Sequence, residues 1–300
     1  MKLNTKRTML VGLAFLSICI FWQMYDSVMT LILTDTFHLN ETIAGAVMAA
    51  DNVLALFLLP LFGALSDKTD TRIGRRMPYI IGGTAAAVVL MNLLPVLDNA
   101  YAASPSPLTL GLFIAVLALL LVAMGVYRSP AVALMPDVTP KPLRSRGNAV
   151  INLMGAVGGI LYLALAAVLY PASRKVAGHV NYQPLFTIVS LIMAASVLAL
   201  VLTVKEKKLS EENRALEKQH PDWNLAAKDE SGSEVLPKDV KRSLTFLLAS
   251  ISLWFIAYNG VTTWFTKYIE QVMGEGLGGA STCLLVATAG AICSYIPIGA

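Results

Sequence analysis

The stretch LPLFGALSDKTDTRIGRRMPYIIGG, Leu59–Gly83, holds two uncharged apolar arms joined by a loop dense in charge. Asp67, Lys68, Asp70, Arg72, Arg75 and Arg76 all fall in that loop. The arms extend outward as apolar runs over 43–65 and 78–97. About 20 apolar residues are needed for a helix to cross a hydrocarbon core about 30 Å thick, so each arm is long enough to span a membrane. Working outward, runs of the same kind cover 9–33, 109–135, 148–170, 184–204, 243–266 and 278–300, which makes eight. They are continuous rather than short and alternating, which excludes a barrel.

The composition agrees. Of 300 residues, 56% are hydrophobic and 14% charged, with mean hydropathy +0.65. Soluble domains carry about 25% charge. The run at 9–33 is too long for a cleaved leader and contains Asp26. Cys19, Cys283 and Cys293 all fall within apolar runs and read as small buried hydrophobes, not a disulfide framework.

Lysine and arginine set the expected orientation. With the N-terminus in the cytoplasm, the inside segments hold Lys2, Lys6 and Arg7, the Lys68–Arg76 loop, Lys141–Arg146 and the cluster from Lys205 to Arg242. Arg174, Lys175 and Lys267 fall outside, and Arg128 lies within a run. The net charge of +4 is therefore a membrane-topology signal and suggests no nucleic-acid partner.

The polar segment 205–242 divides the chain. Within it, SEENRALEKQ is expected to form a surface helix, and DESGSE reads as flexible. The segment is expected to serve as a tether, with a binding or regulatory role as the alternative. After it, YNGVTT (Tyr258–Thr263) echoes YDSVMT (Tyr25–Thr30), and YIPIGA (Tyr295–Ala300) echoes LPLFGA (Leu59–Ala64), at nearly equal offsets. Parallel repeats of this kind suit a transporter built from two six-helix halves. The expected architecture is all-α membrane protein: a six-helix bundle over 1–204, a cytoplasmic linker over 205–242, and two helices of an incomplete second bundle over 243–300. On this reading the chain is a fragment of a protein of about twelve spans.

The charged loop has its own chemistry. Asp67 at a helix end can pair with nearby guanidinium groups and lock the helix ends together. Gly63 permits close helix approach, Gly74 a tight turn, and Pro78 suits the first turn of the next helix. The loop resembles the signature between the second and third helices of the major facilitator superfamily. Its longer spacing, D-x-x-x-x-R-x-G-R-R-x-P-Y, resembles the glycoside–pentoside–hexuronide:cation symporters and the related sucrose–proton symporters. Thr34–Asp35 and the stretch ALMPDVTPKPLRSRGNAVINLMG (Ala133–Gly155) fit the same group. The resemblance covers most of the first 165 residues.

It implies secondary active transport of a sugar, most simply proton-coupled symport of a sucrose- or maltose-like glycoside by alternating access. It also implies a cytoplasmic latch of Gly63, Asp67, Arg72, Gly74, Arg75 and Arg76 with Asp137 and Arg144. Sodium-coupled members carry paired carboxylates in span two, and those positions align with Ala55 and Leu59. A sugar-contacting carboxylate of span one aligns with Cys19. Both departures favour protons over sodium. The family's intramembrane arginine aligns with Val132, one turn from Arg128.

Ionisable residues in mid-span cost about 2.5–3.5 kcal/mol on insertion scales, and they face cavities or partners. Asp26, Asp51 and Arg128 are such residues. From the rise of a helix, Asp26 and Asp51 each lie about 10–12 Å below the outer membrane face. If they face one another they would titrate as a unit. Trp22, Gln23 and Tyr25 surround Asp26, and Trp254, Tyr258 and Asn259 repeat the pattern in span seven. Aromatic faces beside amides and carboxylates suit sugar rings, and Asn152 in span five is a further polar candidate. Structural hydrogen bonding for the aspartates, snorkelling for Arg128 and an interfacial aromatic belt for the tryptophans are the plainer alternatives.

His38, His179 and His220 all fall in loops. The sequence contains no phosphate-binding loop, metal-ligand cluster or nucleophile triad, so it reads as a monomeric carrier in the lipid bilayer rather than an enzyme, and no cofactor is expected. Proton-coupled efflux of drugs or metabolites, or a transporter-like sensor signalling through 205–242, are the alternative functions.

Overall fold

The computed structural model describes residues 3–171, 178–220, 223 and 238–298, with side chains from 239 to 290 in that last stretch. Helix α1 (Thr5–Leu31) continues through a π-turn at Ile32–Thr36. Then come α2 (Glu41–Lys68), α3 (Met77–Ala103), α4 (Pro107–Val138), α5 (Arg144–Leu169) and α6 (Gln183–Thr203). Helix α7 (Glu206–Gln219) lies in the polar segment, followed by α8 (Lys238–Met273) and α9 (Leu277–Ile298). Seven helices are long and apolar enough to span a membrane among the described residues. The eighth expected run corresponds to α9, whose described side chains form a shorter apolar stretch, Leu277–Gly290. DESGSE and Cys293 lie outside the described residues or side chains.

The helices extend past the predicted runs because polar residues cap them. Asn4 accepts from the Arg7 N–H at 3.1 Å, and Asn40 from the Thr42 N–H at 2.8 Å. Pro78 and Pro107 sit in the first turns of α3 and α4, where a missing N–H costs nothing.

Packing follows membrane rules. Helix α1 is the centre of the bundle, against α5, α6 and α4, while α3 packs on α4 and α6. The α1–α5 contact is close because small residues face it: a Cβ on Gly158 would lie 2.4 Å from the Leu16 carbonyl oxygen. Tyr127 on α4 reaches into α1, donating to the Ala14 carbonyl at 2.9 Å and meeting the Ser17 hydroxyl. The outer surface is apolar, with Leu56, Leu108, Val168 and Leu202 exposed. In lipid such exposure carries no penalty, because backbone polar groups are satisfied within the helices.

Helix α2 is nearly as exposed as α8. At the end opposite the N-terminus, here called the far face, Lys267 ties α8 to α1 by pairing with Asp35, and also pairs with Glu270 at 2.8 Å. The end that carries the N-terminus is the near face.

Candidate functional site

Two polar constellations stand out, one inside the bundle and one at its near face. Inside, α1 presents Trp22, Gln23, Tyr25 and Asp26. Tyr25 is buried, and the other three are half-buried. The Arg128 guanidinium of α4 lies over the Trp22 ring, 5.5 Å from its centroid. This is cation–π geometry, and it holds the arginine inside the bundle rather than toward an end. Tyr25 meets Trp22 edge to face with centroids 5.4 Å apart. Asp51 of α2 is half-buried and accepts from the Asn52 amide at 2.9 Å. It stands within electrostatic reach of both Asp26 and Arg128.

Trp22, Asp51 and Arg128 line one cleft between α1, α2 and α4, of about 10 Å³. That is room for about one water molecule, so these residues form a wall rather than an enclosed sugar pocket. The Trp22 Nε1–H and the Tyr25 hydroxyl are buried without a hydrogen-bond partner among the described residues. Buried donors of this kind call for an explanation, and a polar ligand or water is the direct one.

The structure brings together Asp26, Asp51, Arg128, Trp22 and Tyr25, and Gln23 turns toward α5 at Gly159. Asn152 does not join them: it is exposed on α5 and donates to the Asn148 carbonyl at 2.9 Å. Trp254, Tyr258 and Asn259 lie on the exposed part of α8, where Trp254 and Tyr258 stack on each other at 5.3 Å. The reason is geometric. Helix α8 meets the bundle through its far end, where Lys267 pairs with Asp35 beyond α1 and Gln271 donates to Glu41 at the start of α2, leaving the half that carries Trp254 outside the bundle.

Tyr162 of α5, fully buried beside Ser27 and Asp26, was not anticipated; its signal is one phenol within the apolar GILYLALA. Nor was Asp98, a fully buried carboxylate 3.5 Å from His179 at the far face. A cavity of about 530 Å³ lies there too, between Asp35, His38, Tyr101, His179, Tyr182 and Glu270.

At the near face, Arg76 is the hub. Its guanidinium is almost fully buried and pairs with Asp137 at 2.9 Å and with Asp67. It also donates to the Ser66 hydroxyl at 2.5 Å and the Gly63 carbonyl at 3.3 Å. Arg75 adds a second contact to Asp137, at 3.3 Å. Gly74 turns the loop with φ +126, a backbone region that favours glycine, and Arg72 is exposed.

Arg144 does not join Asp137 but pairs with Glu217 of α7 at 2.8 Å. Asp137 is already engaged by two arginines, and Arg144 opens α5, bonded to the Thr139 carbonyl at 3.2 Å. The polar segment also reaches back to the bundle. Its helix α7 lies against the near face through Glu206, Ser210 and Asn213, one buried stripe. Asn213 donates to the Asp137 carbonyl at 3.1 Å, and Lys207 pairs with Asp70 at 3.1 Å.

A bundle of lipid-exposed apolar helices, with ionisable residues on an interior wall and an ion-pair network at one end, is the architecture of a multi-pass membrane protein. The Major Facilitator Superfamily model matches residues 11–300, and the chain belongs to that superfamily. Its sequence resembles the glycoside–pentoside–hexuronide:cation and sucrose–proton symporter group within it.

Solute carrier family 45 member 3 of Homo sapiens is 30% identical over 176 residues, covering 57% of this chain and 32% of that protein. The Macaca fascicularis protein of the same name matches to the same extent. The chain therefore spans about a third of the length of these relatives. Among solved structures, a D-xylose–proton symporter superposes with TM-score 0.59 at 13% identity, covering 95% of this chain and 65% of that one. At that identity the likeness concerns the fold, and this chain is a partial major facilitator fold.

Proposed function

We propose that the chain is the N-terminal six-helix bundle, the linker and the start of the C-terminal bundle of a proton-coupled symporter for a glycoside or disaccharide of the sucrose or maltose type. The observation that carries this reading is the single wall on which α1, α2 and α4 place Asp26, Asp51, Arg128 and Trp22. An aromatic face suits the apolar face of a sugar ring, and the guanidinium and carboxylates suit its hydroxyls. Two carboxylates within electrostatic reach supply a place for a proton to bind and leave. Support also comes from a fold neighbour that is a sugar–proton symporter.

Alternating access follows from rocking the two bundles, with the Arg76 network locking the near face when closed. On this reading the near face is cytoplasmic, because the Lys- and Arg-rich segments gather there.

The test is uptake of labelled sucrose and maltose by vesicles containing the full-length transporter, under an imposed pH gradient and then a sodium gradient. Uptake is expected to follow the pH gradient and collapse with a protonophore. Asp26→Asn is expected to abolish uphill accumulation. Normal accumulation by that variant would remove Asp26 from the mechanism, and uptake driven by sodium alone would overturn proton coupling.

A further inference from the structure

The N-terminus of α3 has no cap of its own. Its cap residue, Arg76, is in the helical conformation and makes no side-chain cap bond. The first N–H groups of a helix have no intrahelical partner and must be satisfied from elsewhere. Here those of Arg76 and Met77, with that of Arg75 before them, go to one carboxylate far along the chain. Glu206 Oε1 accepts from the Arg75 and Arg76 N–H groups, each at 2.9 Å. Glu206 Oε2 accepts from the Arg76 N–H at 3.1 Å and the Met77 N–H at 2.9 Å. Pro78 has no N–H to offer, and Tyr79 and Ile80 already bond the Arg76 carbonyl at 3.1 Å. The donors at this helix end are therefore fully accounted for.

The surroundings are shaped for that carboxylate. Glu206 is 1% exposed. It follows the end of α6 by a short turn in which its own N–H bonds the Val204 carbonyl at 3.1 Å. A Cβ on Gly74 would stand 2.1 Å from Glu206 Oε2, so the glycine leaves the space that the carboxylate occupies. An anion at a helix N-terminus also gains from the helix dipole. The carboxylate contacts backbone N–H groups directly.

We infer that Glu206 is a positioning residue for transport: by capping α3 from α7, it fixes the backbone of Arg75 and Arg76 so that their guanidinium groups meet Asp137 and Asp67. Helix α7 is then a clasp on the near-face lock. Its further contacts, Asn213 to the Asp137 carbonyl and Arg144 to Glu217, hold the clasp against the same ends of α4 and α5. The role in transport rests on the carrier reading above. The capping itself does not.

The experiment uses full-length transporter in nanodiscs, with Glu206→Gln and Glu206→Ala. Hydrogen exchange of the Arg75–Met77 amides is read first, because it needs no substrate. In Glu206→Ala these amides are expected to exchange on the order of tenfold faster or more, since a buried charge-assisted bond is lost. Glu206→Gln, which keeps one acceptor oxygen but no charge, should fall between the two. Unchanged exchange in Glu206→Ala overturns the capping.

Transport is read second, per folded molecule, alone and combined with Asp137→Asn. If Glu206 acts through the arginines, Glu206→Gln lowers maximal rate at unchanged KM, and the double variant is no slower than Asp137→Asn alone. Effects that multiply independently overturn the positioning role. Wild-type protein that moves no sugar, with protected amides, would instead count against the substrate reading.

Discussion

Replacing Arg76 tests the proposed near-face lock most directly. Its guanidinium is 5% exposed and reaches Asp137, Asp67, Ser66 and Gly63 at once. In Arg76→Gln the buried pair with Asp137 is the main loss. A hydrogen bond between charged groups contributes about 1.5–3 kcal/mol net. Asp67 is 58% exposed, so its pair is screened and adds only about 0–1 kcal/mol. Ser66 remains satisfied through its own bond to the Gly63 carbonyl at 2.9 Å, and Asp137 keeps Arg75.

The total is about 3 kcal/mol, which corresponds to a fall in Tm of roughly 6–12 °C. Thermal unfolding of the full-length protein, at one scan rate for all variants, measures it. Arg76→Lys should lose most of the same stability, because one ammonium cannot span two carboxylates as a fork does. A lysine variant within about one degree of wild type, transporting normally, would refute the claim that the fork geometry matters.

Two other outcomes are expected. Trp22→Ala removes the ring beneath Arg128, an interaction of about 0.5–2 kcal/mol, and should raise KM for sugar about threefold or more, with Trp22→Phe closer to wild type; uptake kinetics check this. Gly158→Ala drives a methyl against the Leu16 carbonyl and should cost about 1–3 kcal/mol, seen as a lower Tm and yield, whereas Gly82→Ala, at a glycine with open space around it, should be neutral.

Much of the fold was legible because a bilayer imposes a length and a polarity on each span, and both can be counted along the chain. The position of Gly74 and Pro78 was legible for a local reason: a tight turn and a helix start each demand a particular residue. Asp26, Asp51 and Arg128 were legible as costly exceptions within apolar runs. Their arrangement was not. Equal depth on neighbouring helices says nothing of rotation about each axis, and that rotation places Arg128 over Trp22 while leaving Asn152 exposed on α5.

The partner of Arg144 was not legible for a related reason. Asp137 is near it in sequence, but Glu217 lies near it in space. Glu206 shows the same division. By sequence it is one acidic residue in VKEKK, at the start of a segment that reads as a tether. Only the return of α7 beneath α3 turns it into the acceptor for three backbone donors.

Local patterning thus determined which segments cross the membrane, where they turn and which residues are out of place in lipid, because those properties depend on a residue and its immediate neighbours. The tertiary structure decided which of those residues meet. Side-chain direction and helix rotation depend on packing among segments far apart in the chain, and no local pattern carries them.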